Sequence, residues 1–189
     1  MPEPLTPDQT AQLDPLVARA RAAMAQIENF SEEQLDKLAQ AIGWYASNET
    51  TFTRLAQMGV DESGIGDRAG RPGKRFKIHG VLRDALRQKT TGVVEVDEAR
   101  GLVKYAKPAG VIASLIPMTN PALTPPVTGV YAAKARNAVI FSPHPRTKNT
   151  TATRNANIGN CNHTTNNNHN THNTQPHHNN TRCALRQTR

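Results

Sequence analysis

Asn120 closes the run Ile116-Pro117-Met118-Thr119-Asn120, and Ser142-Pro143-His144 closes a second apolar run that starts at Ala138. An amide, a hydroxyl and an imidazole can each hydrogen-bond a ligand. Both clusters end segments with strand character, and ligands of open α/β sheets bind beyond the carboxyl ends of the strands. Two polar clusters on one edge, from adjacent strands, make a rim for a nucleotide or a substrate. Taken alone, Asn120-Pro121 is also a good turn former. His144 can be a ligand contact or a purely structural residue, and both readings stay open.

The remaining candidates are weaker. Gly64-Ile65-Gly66 has the composition of a phosphate cradle, but such a loop needs a strand before it and a helix after it. A helix precedes it here, so it reads as a helix–helix connection. His79 reads as a surface or half-buried residue. Cys161 and Cys183 are too far apart for a zinc knuckle and make no disulfide framework. No metal site is assigned.

The elements that must position the rim follow from pattern. Asp14-Pro15 predicts a helix start, with Leu16, Ala20, Ala23, Met24 and Ile27 at helical spacing. Ser31 and Gln34 form a capping box for a second helix whose stripe is Leu35, Leu38, Ile42 and Tyr45. Asn48 caps a third, carrying Phe52, Leu55 and Ala56 and ending near Gly59. Residues 74–88 make a fourth, basic helix with Phe76, Val81, Leu82 and Ala85 inward. Residues 92–97 and 102–107 flank a glycine-containing turn and read as a hairpin. Residues 111–116 suit a strand buried on both faces. Thr124 can cap the next helix, with Pro125 and Pro126 in its first turn, where missing N–H groups cost little. Residues 138–142 form a second strand parallel to the first. The expected class is α/β: a partial Rossmann-like sheet with a helical lead-in and a hairpin.

The 189 residues have room for one ordinary domain. The net charge of +8 conceals a split. Residues 1–98 hold 12 basic and all 15 acidic residues, for −3, and residues 99–189 hold 11 basic residues and no acid, for +11. The basic residues are scattered, with no stripe and no interleaved aromatics, so nucleic acid is not expected as a partner. No apolar run approaches the ~20 residues of a bilayer span. The N-terminus is acidic and proline-rich, unlike a secretory leader. A cytoplasmic protein without a membrane partner is expected.

Residues 15–150 resemble the N-terminal part of the aldehyde dehydrogenase superfamily, and most closely its CoA-acylating branch. The segments that carry the resemblance are Asp61-Glu62-Ser63-Gly64-Ile65-Gly66, Pro108-Ala109-Gly110-Val111-Ile112, Pro117-Met118-Thr119-Asn120-Pro121, and the run from Arg136 through Phe141-Ser142-Pro143-His144-Pro145-Arg146. The resemblance implies a cofactor domain, a catalytic domain and a bridging ribbon. It implies a cysteine thiolate that attacks a small aldehyde, a hydride passed to NAD or NADP, and an acyl group transferred to coenzyme A. It makes Asn120 the oxyanion donor. It puts Ile116, Pro117, Met118 and Thr119 on the nicotinamide side and Ser142, Pro143 and His144 on the adenosine side. Hydrolytic relatives commonly have lysine and glutamate in the second motif. Ser142 and Pro145 stand there instead, as in the acylating branch. The hairpin around Arg100 resembles ribbons used for subunit contact, which implies a homo-oligomer for the complete enzyme.

The resemblance stops near Lys148. Neither Cys161 nor Cys183 stands in the context of the nucleophile, so this chain is expected to be an inactive N-terminal portion. We divide it into residues 1–149, belonging to the cofactor domain, and a low-complexity tail, 150–189, expected to be disordered or frame-shifted. Residues 155–181 contain 11 Asn and 5 His. Codons for Asn, Thr, His, Gln and Pro all begin with two bases drawn from A and C, so a one-base slip could create such a tract. The alternative is a non-enzymatic protein whose histidines at 163, 169, 172, 177 and 178 bind a metal.

Overall fold

The computed structural model describes residues 4–159. Its order is α1 (Pro7–Ile27), α2 (Glu32–Ala46), α3 (Glu49–Ser63), a 3-10 turn (Arg71–Arg75), α4 (Phe76–Leu86), β1 (Val93–Asp97), β2 (Leu102–Tyr105), β3 (Val111–Ile116), α5 (Thr124–Lys134), β4 (Ala138–Pro143), a second 3-10 turn (Pro145–Thr147) and α6 (Lys148–Gly159).

Local chemistry sets most of these boundaries. The Ser31–Gln34 capping box opens α2, and the Asn48 side chain accepts from Thr51 N to open α3. α3 runs past the expected stop at Gly59 to Ser63. Gly64, with φ of 69°, ends it in the left-handed conformation that glycine adopts freely. α1 differs at its start. Thr6 and Gln9 form an earlier capping box with Pro7 at the first position, so Pro15 lies inside the helix. Pro15 is exposed, so water can take the carbonyl it leaves unbonded.

The core is built around α5. One side of α5 gives Val130 and Ala133 to a cluster with Leu38, Ala39, Ile42 and Ala85. The other gives Ala132 to a cluster with Ile116, Val139 and Phe141. A third cluster, Ala46, Phe52, Ala56 and Ile78, joins α2, α3 and α4. Two expected core residues are outside: Tyr45 is 40% exposed, its place taken by Ala46, and Phe76 is 58% exposed. Ile78 is buried in place of Phe76, while Ala85 is buried and Val81 and Leu82 pack against the core as expected.

β1 and β2 pair antiparallel, and β3 and β4 pair parallel in unbroken register, with Leu115 opposite Ser142 and Ile116 opposite Pro143. β3 is not buried on both faces. Ile112 and Ile116 turn toward α5, whereas Leu115 is 80% exposed on the other face.

α6 is helical through Gly159, so a division at 149/150 cuts an element. Glu62 Oε2 accepts from Thr150 N at 2.9 Å and Thr150 Oγ1 at 2.7 Å, closing the first turn of α6. The metal-binding alternative, Cys161 and Cys183 all concern residues outside those described.

Candidate active site

The β3–β4 register places the two sequence motifs side by side. Ile116 faces Pro143 across the ladder, and both chains leave the sheet at its carboxyl edge. After β3 the chain turns at once: Asn120 N donates to Pro117 O at 3.3 Å. Asn120 O then accepts from Thr124 N at 3.0 Å, starting α5. Asn120 therefore sits between a strand end and a helix start, both anchored in the core. Thr124 is the first residue of α5 and not its side-chain cap, since Asn120 supplies the accepting oxygen from its backbone.

A second constraint comes from α3. A Cβ on Gly59 would lie 2.8 Å from Pro121 Cγ, so the absence of a side chain lets α3 press against the Asn120–Pro121 turn. Behind the turn is a cavity of about 20 Å³, bounded by Phe52, Ala56 and Gly59 on one side and Arg71, Lys74 and Asn120 on the other. That is room for about one water.

The side chain of Asn120 is half-buried and firmly placed. Lys74 Nζ donates to Oδ1 at 2.8 Å and Arg71 Nη1 at 3.1 Å. Arg71 also donates to Thr119 O and, at 3.0 Å, to Ile65 O. Gly66 makes this possible, because a Cβ there would overlap the guanidinium. Burial lowers the pKa of Lys74, and Arg71 and Lys77 lower it further. Sequence reasoning missed both: Arg71 fell in the glycine-rich connection and Lys74 was read as the start of a basic helix. The available signal was their spacing of three residues directly after the glycine-rich loop.

The second motif is more open. Ser142 is exposed, and Pro143 and His144 are half-buried. His144 Nδ1 accepts from Arg146 N at 3.2 Å and caps the 3-10 turn, so the ring has a structural role whatever else it does. Arg146 in turn donates to Ser63 O at 2.9 Å, tying this loop to the end of α3. The Gly64–Gly66 loop connects helices, as its position after α3 implied. His79 is exposed. Among the described residues no group of three or more His, Cys, Asp or Glu could hold a metal, and no helix is long and apolar enough to cross a membrane.

The arrangement offers one fixed amide at a strand end, beside the carboxyl edge of the β3–β4 pair. The sulfoacetaldehyde dehydrogenase of Acholeplasma sp is 39% identical over 133 residues, 70% of this chain and 28% of that protein. The acylating sulfoacetaldehyde dehydrogenase of Bilophila wadsworthia is 40% identical over 128 residues, 67% of this chain and 28% of that protein. Among solved structures, an acetylating aldehyde dehydrogenase from Geobacillus thermoglucosidasius superposes with a TM-score of 0.76 at 30% identity, covering 82% of this chain and 34% of that one. No protein-family profile matches the chain. The chain spans a little over a quarter of the length of these two curated relatives.

Proposed function

This chain belongs to the CoA-acylating branch of the aldehyde dehydrogenase superfamily, and from that premise we propose that it forms the oxyanion-stabilising and cofactor-facing part of an enzyme that oxidises an aldehyde to an acyl-CoA. The observation that carries the reading is the amide of Asn120. Its oxygen is taken by Lys74 and Arg71, so its NH2 group is turned away from them, with only a long 3.5 Å contact to Thr119 Oγ1. When a thiolate adds to an aldehyde, the carbonyl oxygen becomes negative. One preorganised donor to such an oxygen is worth about 3 kcal/mol of barrier. Asn120 is the catalytic residue in this assignment.

The cofactor is NAD or NADP, and coenzyme A is the acyl acceptor. The nicotinamide supplies a hydride acceptor when bound. The residues present fit such a group: Ile116, Pro117, Met118 and Thr119 leave β3 beside Ser142, Pro143 and His144 leaving β4, with Ser142 exposed on the open face of the sheet. The small aldehyde is the other partner. The enzyme works in the cytoplasm, and the exposed hairpin β1–β2 joins subunits in the homo-oligomer.

The 189-residue chain alone does not turn over, because neither Cys161 nor Cys183 stands in a nucleophile's context. Purified chain with acetaldehyde, CoA and NAD or NADP gives no reduced cofactor above the protein-free control; a signal overturns this statement. Asn120 is tested in a chimera in which residues 15–148 replace the matching segment of the Acholeplasma relative. N120A lowers kcat/KM by about 100-fold, equivalent to ~3 kcal/mol. An undiminished value rules out the donor role.

We also propose that native coding ends near Lys148. Thr150, Thr151 and Asn155 are buried where α6 meets the rest of the molecule. The Thr151 hydroxyl and the Asn155 amide oxygen have no hydrogen-bond partner. A helix with its own coding would present apolar residues to that surface. Sequencing the coding DNA decides it: a second frame that resumes an aldehyde dehydrogenase pattern supports the slip, and its absence ends the idea.

A further inference from the structure

Asn120 is held by two cations, and neither has an acceptor to offer. Lys74 Nζ is 2.8 Å and Arg71 Nη1 3.1 Å from Asn120 Oδ1. Ammonium and guanidinium groups only donate. The amide oxygen must therefore face them, and the NH2 group must face away. The two ends of an asparagine amide are nearly equal in shape, so packing alone would not choose between them; charge does. On the Nδ2 side the one contact is a long one, 3.5 Å to Thr119 Oγ1.

The holders are themselves held. Arg71 sits in the slot that Gly66 leaves empty and is tied to Ile65 O and Thr119 O. Lys74 follows on the same 3-10 turn, three residues later. Neither makes a salt bridge with a carboxylate among the described residues. Their charge is directed at Oδ1 and is not cancelled locally.

We infer that Arg71 and Lys74 are positioning residues for the oxyanion donor: they lock the orientation of the Asn120 amide and polarise it, so that its N–H groups donate more strongly to the aldehyde oxygen. This rests on Asn120 being the donor. Bonds accepted at Oδ1 draw electron density from the amide nitrogen, and such chained bonds strengthen one another by roughly 10–30% each. A neutral donor at position 74 would orient the amide without the full polarisation. In this assignment Arg71 and Lys74 act through Asn120.

The test uses the 189-residue chain and NMR detection of the Asn120 side-chain carbonyl carbon, identified by its loss in N120D. K74M and R71M each shift this carbon, and K74R returns it toward the wild-type position. A carbon that stays in place in both variants, with the rest of the spectrum unchanged, overturns the inference. If either variant fails to fold, the wild-type protein decides alone. Raising the pH through the titration of Lys74, which burial, Arg71 and Lys77 move below the ordinary lysine range, shifts the carbon with the same midpoint. A carbon indifferent to pH across that range overturns it. A separate arm at neutral pH adds acetate as an oxyanion probe and follows the Asn120 NH2 protons. A response that K74M weakens supports donor and holders together. A carbon that answers to Lys74 while the protons ignore acetate leaves the positioning intact and removes the donor role.

Discussion

Lys134 keeps 2% of its side-chain surface in water, yet it lies on a helix whose neighbours are mostly apolar. It persists because Glu32 and Asp36 of α2 accept from it. Burial alone would lower its pKa, but these two carboxylates outweigh burial and raise it. Glu32 also accepts from Thr90 N at 3.1 Å and Thr91 Oγ1 at 2.6 Å, so one carboxylate ties α2, α5 and the segment before β1. Burial pushes the Glu32 pKa up, but hydrogen bonds from Lys134, Thr91 and Thr90 prevail and hold it at about 2, below the ordinary value of 4.5. The sign follows. A carboxylate with a depressed folded pKa adds stability above its ordinary pKa and loses it as the pH falls toward the folded value. The contribution is present at neutral pH and disappears between about pH 4.5 and 2. It amounts to roughly 2 kcal/mol, after allowance for screening at a partly exposed group. K134M removes the centre of the network and costs about 2–3 kcal/mol. A fully buried pair would lose ~3–5 kcal/mol, but the carboxylates here keep about a third of their surface in water. Urea unfolding at pH 7 and pH 3 measures both effects. An unchanged difference between the two pH values in E32Q would show that another group governs the acid limb.

At the scale of elements, α6 is the place where sequence and packing disagree. It is anchored at its start by Glu62, and a Cβ on Gly59 would lie 3.6 Å from Thr150 Cγ2, so α3 and α6 come close. The Arg154 guanidinium donates to Ala46 O at 2.6 Å and lies 5.5 Å from the centre of the Phe52 ring. These contacts explain why a segment poor in large aliphatic residues is nevertheless packed as a helix. The cost is carried by single atoms. Thr151 is fully buried and its hydroxyl has no partner. A buried polar group without a partner costs about 1–3 kcal/mol, and an apolar group of the same shape removes that cost. T151V is isosteric and stays on the same turn. It raises stability by about 1 kcal/mol in thermal unfolding. A lower melting temperature would mean that the hydroxyl is bonded after all.

The whole molecule shows which parts of such a fold a sequence declares. The Ser31–Gln34 capping box, the glycine turn of the hairpin and the strand–helix–strand unit were legible because each rests on residues a few positions apart. The carboxyl-edge rim followed from the parallel pairing of β3 and β4. The grip on Asn120 was not legible, because Lys74 and Arg71 lie 46 and 49 residues away and only the packed helices bring them there. The exposure of Tyr45, Phe76 and Leu115 was not legible either, since burial depends on which neighbours arrive. The hairpin shows the same dependence. Val96 and Val103 are direct cross-strand partners, and Tyr105 lies two residues along on the same face. They are 57%, 48% and 62% exposed. An apolar ribbon face of this kind is stabilised by covering it with another surface. On the proposed reading the cover is a second subunit, so self-association should depend on this face. V96K with V103K places two like charges opposite each other on it, which disfavours any apolar partner and leaves the turn residues untouched. In sedimentation of the 189-residue chain the double variant weakens self-association at least tenfold, about 1.4 kcal/mol. Equal sedimentation of the wild type and the double variant over the same concentrations would take the subunit contact away from the hairpin.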